Sequence, residues 1–412
     1  MSQFFCIFKV IFVVLLRMKE LTTFNKLKGS IMKKMNMKQL LPTTKVMRSL
    51  IFLSFIGLLA SCGQGGSKSS VMNATFEGEG DDLERVKQEM VMPPLVPVHD
   101  QVAKGGPKIV EVTLEIQEVK MEIAPGDSIW ALTFNGSVPG PLIVVHQNDF
   151  VELTLKNPAT NQMMHNIDFH AATGHMGGGD ISEVKPGEQV IFRFRATKAG
   201  TFVYHCAPGG LMTPMHVASG MNGAIMVLPR EGLKDETGKL VEYDKALYIV
   251  EQDFYLPKNE DGSFKNIATA NESMSEMEKS IKTLIPTHIV FNGRKGSLLG
   301  KNAPVVNVGD RVLFINAQAN RDTRLHIIGG HADLYWPGGK FNNTPYTDFE
   351  TWHIPGGSAA AVLYKFREPG TYAFVNHNLI EAIAFGAVGH IKVEGEWDNS
   401  LMKEIEKASP IK

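Results

Sequence analysis

The chain has 412 residues, a formal net charge of -1, 43% hydrophobic and 21% charged residues. That balance belongs to a folded globular protein with room for two or three domains, and it lacks the basic excess of a nucleic-acid binder. Of its three cysteines, Cys6 and Cys62 fall in the N-terminal leader, so Cys206 stands alone in the globular part and no disulfide framework can hold the fold.

Two apolar runs open the chain. Residues 4–16 are interrupted by Lys9 and fall short of the roughly 20 residues that cross a bilayer. Residues 49–60 follow Lys45 and Arg48 as a short apolar segment, the pattern of a secretory signal. The segment ends Leu59-Ala60-Ser61-Cys62 and continues Gly63-Gln64-Gly65-Gly66-Ser67, which resembles a bacterial lipobox. Cleavage before Cys62 and lipidation of its thiol are expected, giving a membrane anchor made of acyl chains and a place in the periplasm or outer cell envelope. Residues 1–62 are read as leader, and 63–104 as a Gly, Ser and acidic flexible tether with an extended arm around Pro93, Pro94 and Pro97.

Residues 105–235 carry short β-rich runs: 108–123, 129–134, 142–145, 150–155, 189–195, 201–205 and 224–228. Turn residues separate them, among them Asn135-Gly136, Pro139-Gly140-Pro141 and Pro186-Gly187. This rhythm predicts an all-β, Greek-key sandwich. Within it, His165, Cys206, His216 and Met221 make two imidazoles, one thiolate and one thioether, the donor set of a blue-copper site. His205 precedes Cys206 at the end of a predicted strand, where neighbours point to opposite faces. His205 and Cys206 can therefore hold two metals back to back. His170 supplies a second ligand to the His205 side, and Asp168 shares the parity of His170. A third ligand is not evident in this half.

Residues 236–395 repeat the first half. Phe134-Asn135-Gly136 recurs as Phe291-Asn292-Gly293, and Gly223-Ala224-Ile225-Met226-Val227 as Gly389-His390-Ile391-Lys392-Val393. The strand ending in His205-Cys206 recurs before Asn376-His377-Asn378, with one residue inserted. This pairing sets His377 opposite His205, Asn378 opposite Cys206 and Ala387 opposite Met221. The second half thus loses the blue-copper set, and His377 becomes the third ligand of the second metal, supplied by a neighbouring subunit of a symmetric ring where one chain cannot close the site. The Gly-rich stretch from Arg324 to His331 places His326 as an acid opposite Asp168 and leaves the role of His331 open. Residues 271–284 show helical spacing of Met274, Met277, Ile281 and Leu284, and 396–412 read as a terminal arm or helix.

Together, His165-Asn166-Ile167-Asp168-Phe169-His170, Tyr204-His205-Cys206-Ala207-Pro208, Ser219-Gly220-Met221-Asn222-Gly223, His326-Ile327-Ile328-Gly329-Gly330-His331 and Val375-Asn376-His377-Asn378 resemble copper-containing nitrite reductases over about residues 90–402. The resemblance implies a homotrimer of subunits with two tandem cupredoxin-like sandwiches, and two coppers per subunit. It implies type 1 copper on His165, Cys206, His216 and Met221, and type 2 copper on His170 and His205 with His377 of the adjacent subunit. It further implies proton delivery by Asp168 and His326, a pocket shaped by Ile328, dissimilatory reduction of nitrite to nitric oxide, and a small cupredoxin or cytochrome c as electron donor. The sequence departs from the family in a loop, residues 207–215, one residue longer than in many members, and in Leu325 where proline is usual. A multicopper oxidase is the enzyme alternative, but it needs His-x-His pairs and the chain has none. An electron-transfer cupredoxin would leave His170, Asp168, His326 and His377 without a task. A zinc hydrolase would have no use for the adjoining thiolate site.

Overall fold

The computed structural model describes residues 81–411; Cys62, with the expected signal and lipidation site, lies outside them. The first domain comprises β1 (Arg85–Lys87), β2 (Ile109–Ala124), β3 (Asp127–Phe134), β4 (Ile143–His146), β5 (Phe150–Asn157), β6 (Asp168–Phe169), β7 (Glu188–Arg195), β8 (Gly200–His205) and β9 (Asn222–Leu228). One sheet runs β1-β2-β5-β7, with β3 on the far half of β2, and the other runs β4-β9-β8-β6. Alternate residues of both, among them Val112, Leu114, Leu153, Phe192, Tyr204, Ile225 and Val227, fill one core, as two stacked antiparallel-rich layers require.

A hairpin of β10 (Leu233–Lys234) and β11 (Leu240–Val241) leads into the second domain. Its strands are β12 (Lys245–Tyr248), β13 (Glu251–Phe254), β14 (His288–Phe291), β15 (Val305–Asn307), β16 (Arg311–Gln318), β17 (Thr323–Ile328), β18 (Ala332–Trp336), β19 (Tyr346–Phe349), β20 (Thr351–Ile354), β21 (Ser358–Lys365), β22 (Gly370–Asn376) and β23 (Val388–Glu394). The pairings repeat those of the first domain. β4 lies parallel to β9 as β15 does to β23, and β6 antiparallel to β8 as β17 does to β22. The turn residues repeat too: Asn135 and Asn292 have φ of 57° and 44°. Asparagine tolerates this left-handed conformation better than other side chains. Each Asn uses its Oδ1 to accept a main-chain N–H, from Glu115 at 2.7 Å and from Val250 at 2.9 Å.

The domains meet sheet against sheet. β9 is buried on both faces: Ile225 and Val227 point into the first core, while Ala224, Met226 and Leu228 pack with Leu313, Ile315, Trp336, Ala361 and Leu363 of the second domain. The predicted helix is present as Ala270–Ile281 (α2), following α1 (Met212–Ala218) in the chain. Thr269 caps α2 by accepting the Glu272 N–H at 3.2 Å, and its face of Met274, Met277 and Ile281 packs on the first domain's core.

The structure sharpens three readings. Within residues 63–104, β1 stands between the Gly, Ser and acidic tether and the proline arm and pairs parallel with β2, Arg85 opposite Ile109. Of the Gly-rich stretch 324–331, residues 324–328 belong to strand β17, and the glycines follow it. Of the two forms expected for the C-terminal segment, the described residues take the arm, with no helix after Glu394 among them.

Candidate metal centres

Strand β8 delivers His205 and Cys206 to opposite faces. Phe202 and Tyr204 belong to the first core and Cys206 joins them there, while Val203 packs in the layer between domains. His205 has the parity of Val203 and turns away from the core, half-buried. One peptide unit thus separates two differently housed side chains.

On the core side, Cys206 Sγ lies 3.4 Å from His216 Nδ1 and 3.8 Å from His165 Nδ1. All three residues, and Met221, are fully buried. Helix α1 positions His216, and the turn after it returns Met221, whose N–H bonds to the His216 carbonyl at 3.1 Å. Gly220 (φ 104°) makes that turn, where a Cβ would come within 2.4 Å of Val138. Asn166 braces the thiol: its N–H reaches Sγ at 3.5 Å, and its Oδ1 accepts the Ala207 N–H at 2.7 Å. Burial pushes the Cys206 thiol up to about 12, and burial, helped by His165, lowers His216 to about 3. His216 is therefore neutral with a lone pair to give, while a cation must displace the Cys206 proton to bind. A buried thiolate with two imidazoles and a nearby thioether fits copper.

On the other side, His170 Nε2 lies 3.2 Å from His205 Nε2. The Nδ1 of His170 faces the Gly357 carbonyl at 3.1 Å and that of His205 the Cys206 carbonyl at 3.0 Å. Carbonyls only accept, so both Nδ1 atoms donate and the two Nε2 atoms converge as lone pairs. Such a pair is repulsive without a cation, and it is the tautomer metal-bound histidines adopt. Asp168 Oδ2 stands 3.8 Å from His205 Nε2. Burial, followed by the neighbouring His205, lowers the pKa of His170.

His377 is not in this group. Its ring lies 5.2 Å from that of His326, and the His326 Nδ1 is 2.7 Å from the Glu350 carbonyl. Ile328, on the His326 face of β17, is half exposed. His331 is exposed in the loop between β17 and β18. Strand register also corrects the pairing of the repeats. Tyr204 pairs with Gly223 and Phe374 with Gly389, so Val375 occupies the place of His205 and Asn376 that of Cys206. The main chain agrees: Cys206 N–H bonds to Met221, and Asn376 N–H to Ala387, each at 3.1 Å. The extra residue of the second domain lies after the strand, which moves His377 past the position expected from the sequence.

The same register puts Asp168 and His326 at equivalent positions, opposite His205 and Val375. His170 and Ile328 correspond, as do His165 and Thr323. Where the first domain has its thiol pocket, the second has a polar cluster that sequence reasoning missed. The Thr323 hydroxyl donates to Glu251 at 2.9 Å, Asn376 to Glu381 at 2.7 Å and Arg321 to Glu381 at 2.9 Å.

Family models described as multicopper oxidase match residues 115–232 and 245–397. A copper-containing nitrite reductase of Neorhizobium galegae is 53% identical over 363 residues, covering 84% of this chain and 96% of its own. That of Alcaligenes faecalis is 57% identical over 324 residues, covering 78% and 86%. Among solved structures, a copper nitrite reductase from Nitrosomonas europaea superposes with a TM-score of 0.58 at 28% identity, over 71% of this chain and 96% of its own. The two converging donor sets and these relatives agree: the chain belongs to the copper-containing nitrite reductase family.

Proposed function

We propose that the protein reduces nitrite to nitric oxide and water, consuming one electron and two protons per turnover. The carrying observation is the His205–Cys206 junction, which joins a buried thiolate set to a half-open histidine pair through one peptide unit. His165, Cys206, His216 and Met221 would hold type 1 copper, and His170 and His205 type 2 copper. Copper at these sites supplies one-electron chemistry and, at the histidine site, Lewis-acid polarisation of nitrite.

His377 completes the histidine site from a neighbouring subunit of a homotrimer. Its exposure, and its absence from the group that Asp168, His170 and His205 form within one chain, support this. Asp168 and His326 hold and release the two protons. With Nδ1 tied to Glu350, the His326 Nε2 is the atom left to exchange one. Ile328 walls the same side against water. Copper held by the Cys206 set would supply the acceptor for one electron from a small cupredoxin or cytochrome c, and the bonds from Cys206 to the His205 ring would be the covalent link between the two sites. Lipidated Cys62 would hold the enzyme in the cell envelope.

The test is to count copper and assay nitric oxide from nitrite under a chemical reductant. Two coppers per chain and sustained nitric oxide are expected. A protein carrying both coppers that produces none would refute the reading. The oxidase reading is disfavoured by the absence of any His-x-His pair and by Ala207 after Cys206.

A further inference from the structure

We propose that Glu118 is a positioning residue for the thiolate pocket, holding His165 in the tautomer that presents Nδ1 to Cys206 and lowering the reduction potential of copper bound there. The inference rests on the proposed role of His165 as a ligand.

Glu118 lies in β2 with its side chain 2% exposed. A buried carboxyl is costly unless hydrogen bonds satisfy it, and here two main-chain N–H groups and one imidazole nitrogen converge on it. Its Oε1 faces the Met163 N–H at 2.9 Å and His165 Nε2 at 3.0 Å, and its Oε2 accepts the Gln162 N–H at 2.9 Å. A carboxylate with these neighbours can only accept. The His165 proton must therefore sit on Nε2, leaving the Nδ1 lone pair toward Cys206 Sγ. The main chain of His165 is already fixed by paired hydrogen bonds with Val184, 3.0 and 2.8 Å long. What Glu118 adds is the orientation and protonation of the ring.

The other imidazole has no such support. His216 Nε2 is buried without a hydrogen-bond partner. External charge acts on the pair of imidazoles through His165. A carboxylate that accepts from a ligand's far N–H makes that imidazole a stronger donor, which favours the higher oxidation state of a bound metal.

The second domain shows what Glu118 does apart from this. Register places Asp253, opposite Ile289, at the position of Glu118, opposite Leu132. Both acids are buried, and each carboxylate holds a loop, the one after β5 for Glu118 and the one after β16 for Asp253. Asn320 donates to the Asp253 carboxylate at 2.6 Å, and the Gln162 and Met163 N–H groups donate to the Glu118 carboxylate at 2.9 Å each. Clamping that loop is the shared task. The second domain has Thr323 where His165 stands, so only Glu118 has an imidazole to hold.

Spectroelectrochemical titration of the blue absorption in native protein, Glu118→Gln and Glu118→Asp separates the two tasks. Gln keeps an oxygen for the loop and removes the charge. At the native midpoint potential, Glu118→Gln should show a reduced-to-oxidised ratio at least tenfold higher, an upward shift of about 59 mV for a one-electron couple, with Asp restoring part of it. Nitrogen-15 shifts of His165 in copper-free native protein should report the proton on Nε2, a readout that survives even if the variants fail to fold. A copper-loaded Glu118→Gln with native potential, or a native His165 protonated on Nδ1, would overturn the proposal. Native protein that binds no thiolate-ligated copper would instead refute the ligand assignment beneath it.

Discussion

Asp168 and His326 occupy the same position in the two copies of the fold. Asp168 pairs across the sheet with His205, beside Phe169–Tyr204, and His326 pairs with Val375, beside Ile327–Phe374. One strand position therefore offers an acid in the first domain and an imidazole in the second. As proposed proton donors, each should be replaceable without loss of metal. Asp168→Asn and His326→Asn should each lower kcat by about 10²–10⁴-fold, the usual worth of general acid catalysis, with two coppers retained by metal analysis. Near-native turnover in either variant would remove that residue from the proton path.

Glu251 gives the fold a pH-dependent weakness. Burial, reinforced by Glu381 and Asp253 and opposed by hydrogen bonds from Thr323 and Asn376, raises its pKa from 4.5 to about 8. A raised folded-state pKa means the native protein keeps a proton that the unfolded chain releases. Stability from this group is thus full below pH 4.5 and falls as pH rises toward 8. Glu251→Gln should flatten this fall, so thermal unfolding at pH 5 and pH 9 should differ less in the variant than in native protein. An equal drop in both would show that Glu251 does not titrate in this window.

Phe374 anchors the second core. Its ring lies 5.1 Å from Phe291, 5.7 Å from Phe314 and 6.2 Å from Trp352, fully buried. Phe374→Ala should cost about 3–5 kcal/mol by lost burial and the cavity left behind, measured by denaturant unfolding. A loss below about 1 kcal/mol would mean the neighbours close the gap.

Strands were legible wherever one or both faces are buried, because alternation and apolar runs report burial directly: β2, β5, β7 and β9 lie close to where the pattern put them. The donor residues were legible because His, Cys and Met in one order are chemically unusual. What escaped depends on contacts distant in sequence. Glu118 shares the inward parity of Val112, Leu114 and Ile116 in β2, but alternation does not say what a charge there would meet, and only the fold brings Gln162, Met163 and His165 onto it. Helix α1 is seven residues long and contains Pro214, too short for a periodic signal. The equivalence of Asn376 with Cys206 turns on whether an insertion falls before or after a strand end, and a shift of one residue reverses every face. Only hydrogen-bond register resolves it.

The central claim is that His205 and Cys206 join two separable copper sites, the second finished by His377. Paramagnetic resonance of copper-loaded native protein, Cys206→Ala and His377→Ala tests it in one measurement. The account predicts two signals of equal weight in the native protein. Cys206→Ala should lose only the narrow-hyperfine thiolate signal and its colour, and His377→Ala should lose only the other. Loss of the same signal in both variants, or a full histidine-site signal in His377→Ala, would contradict it.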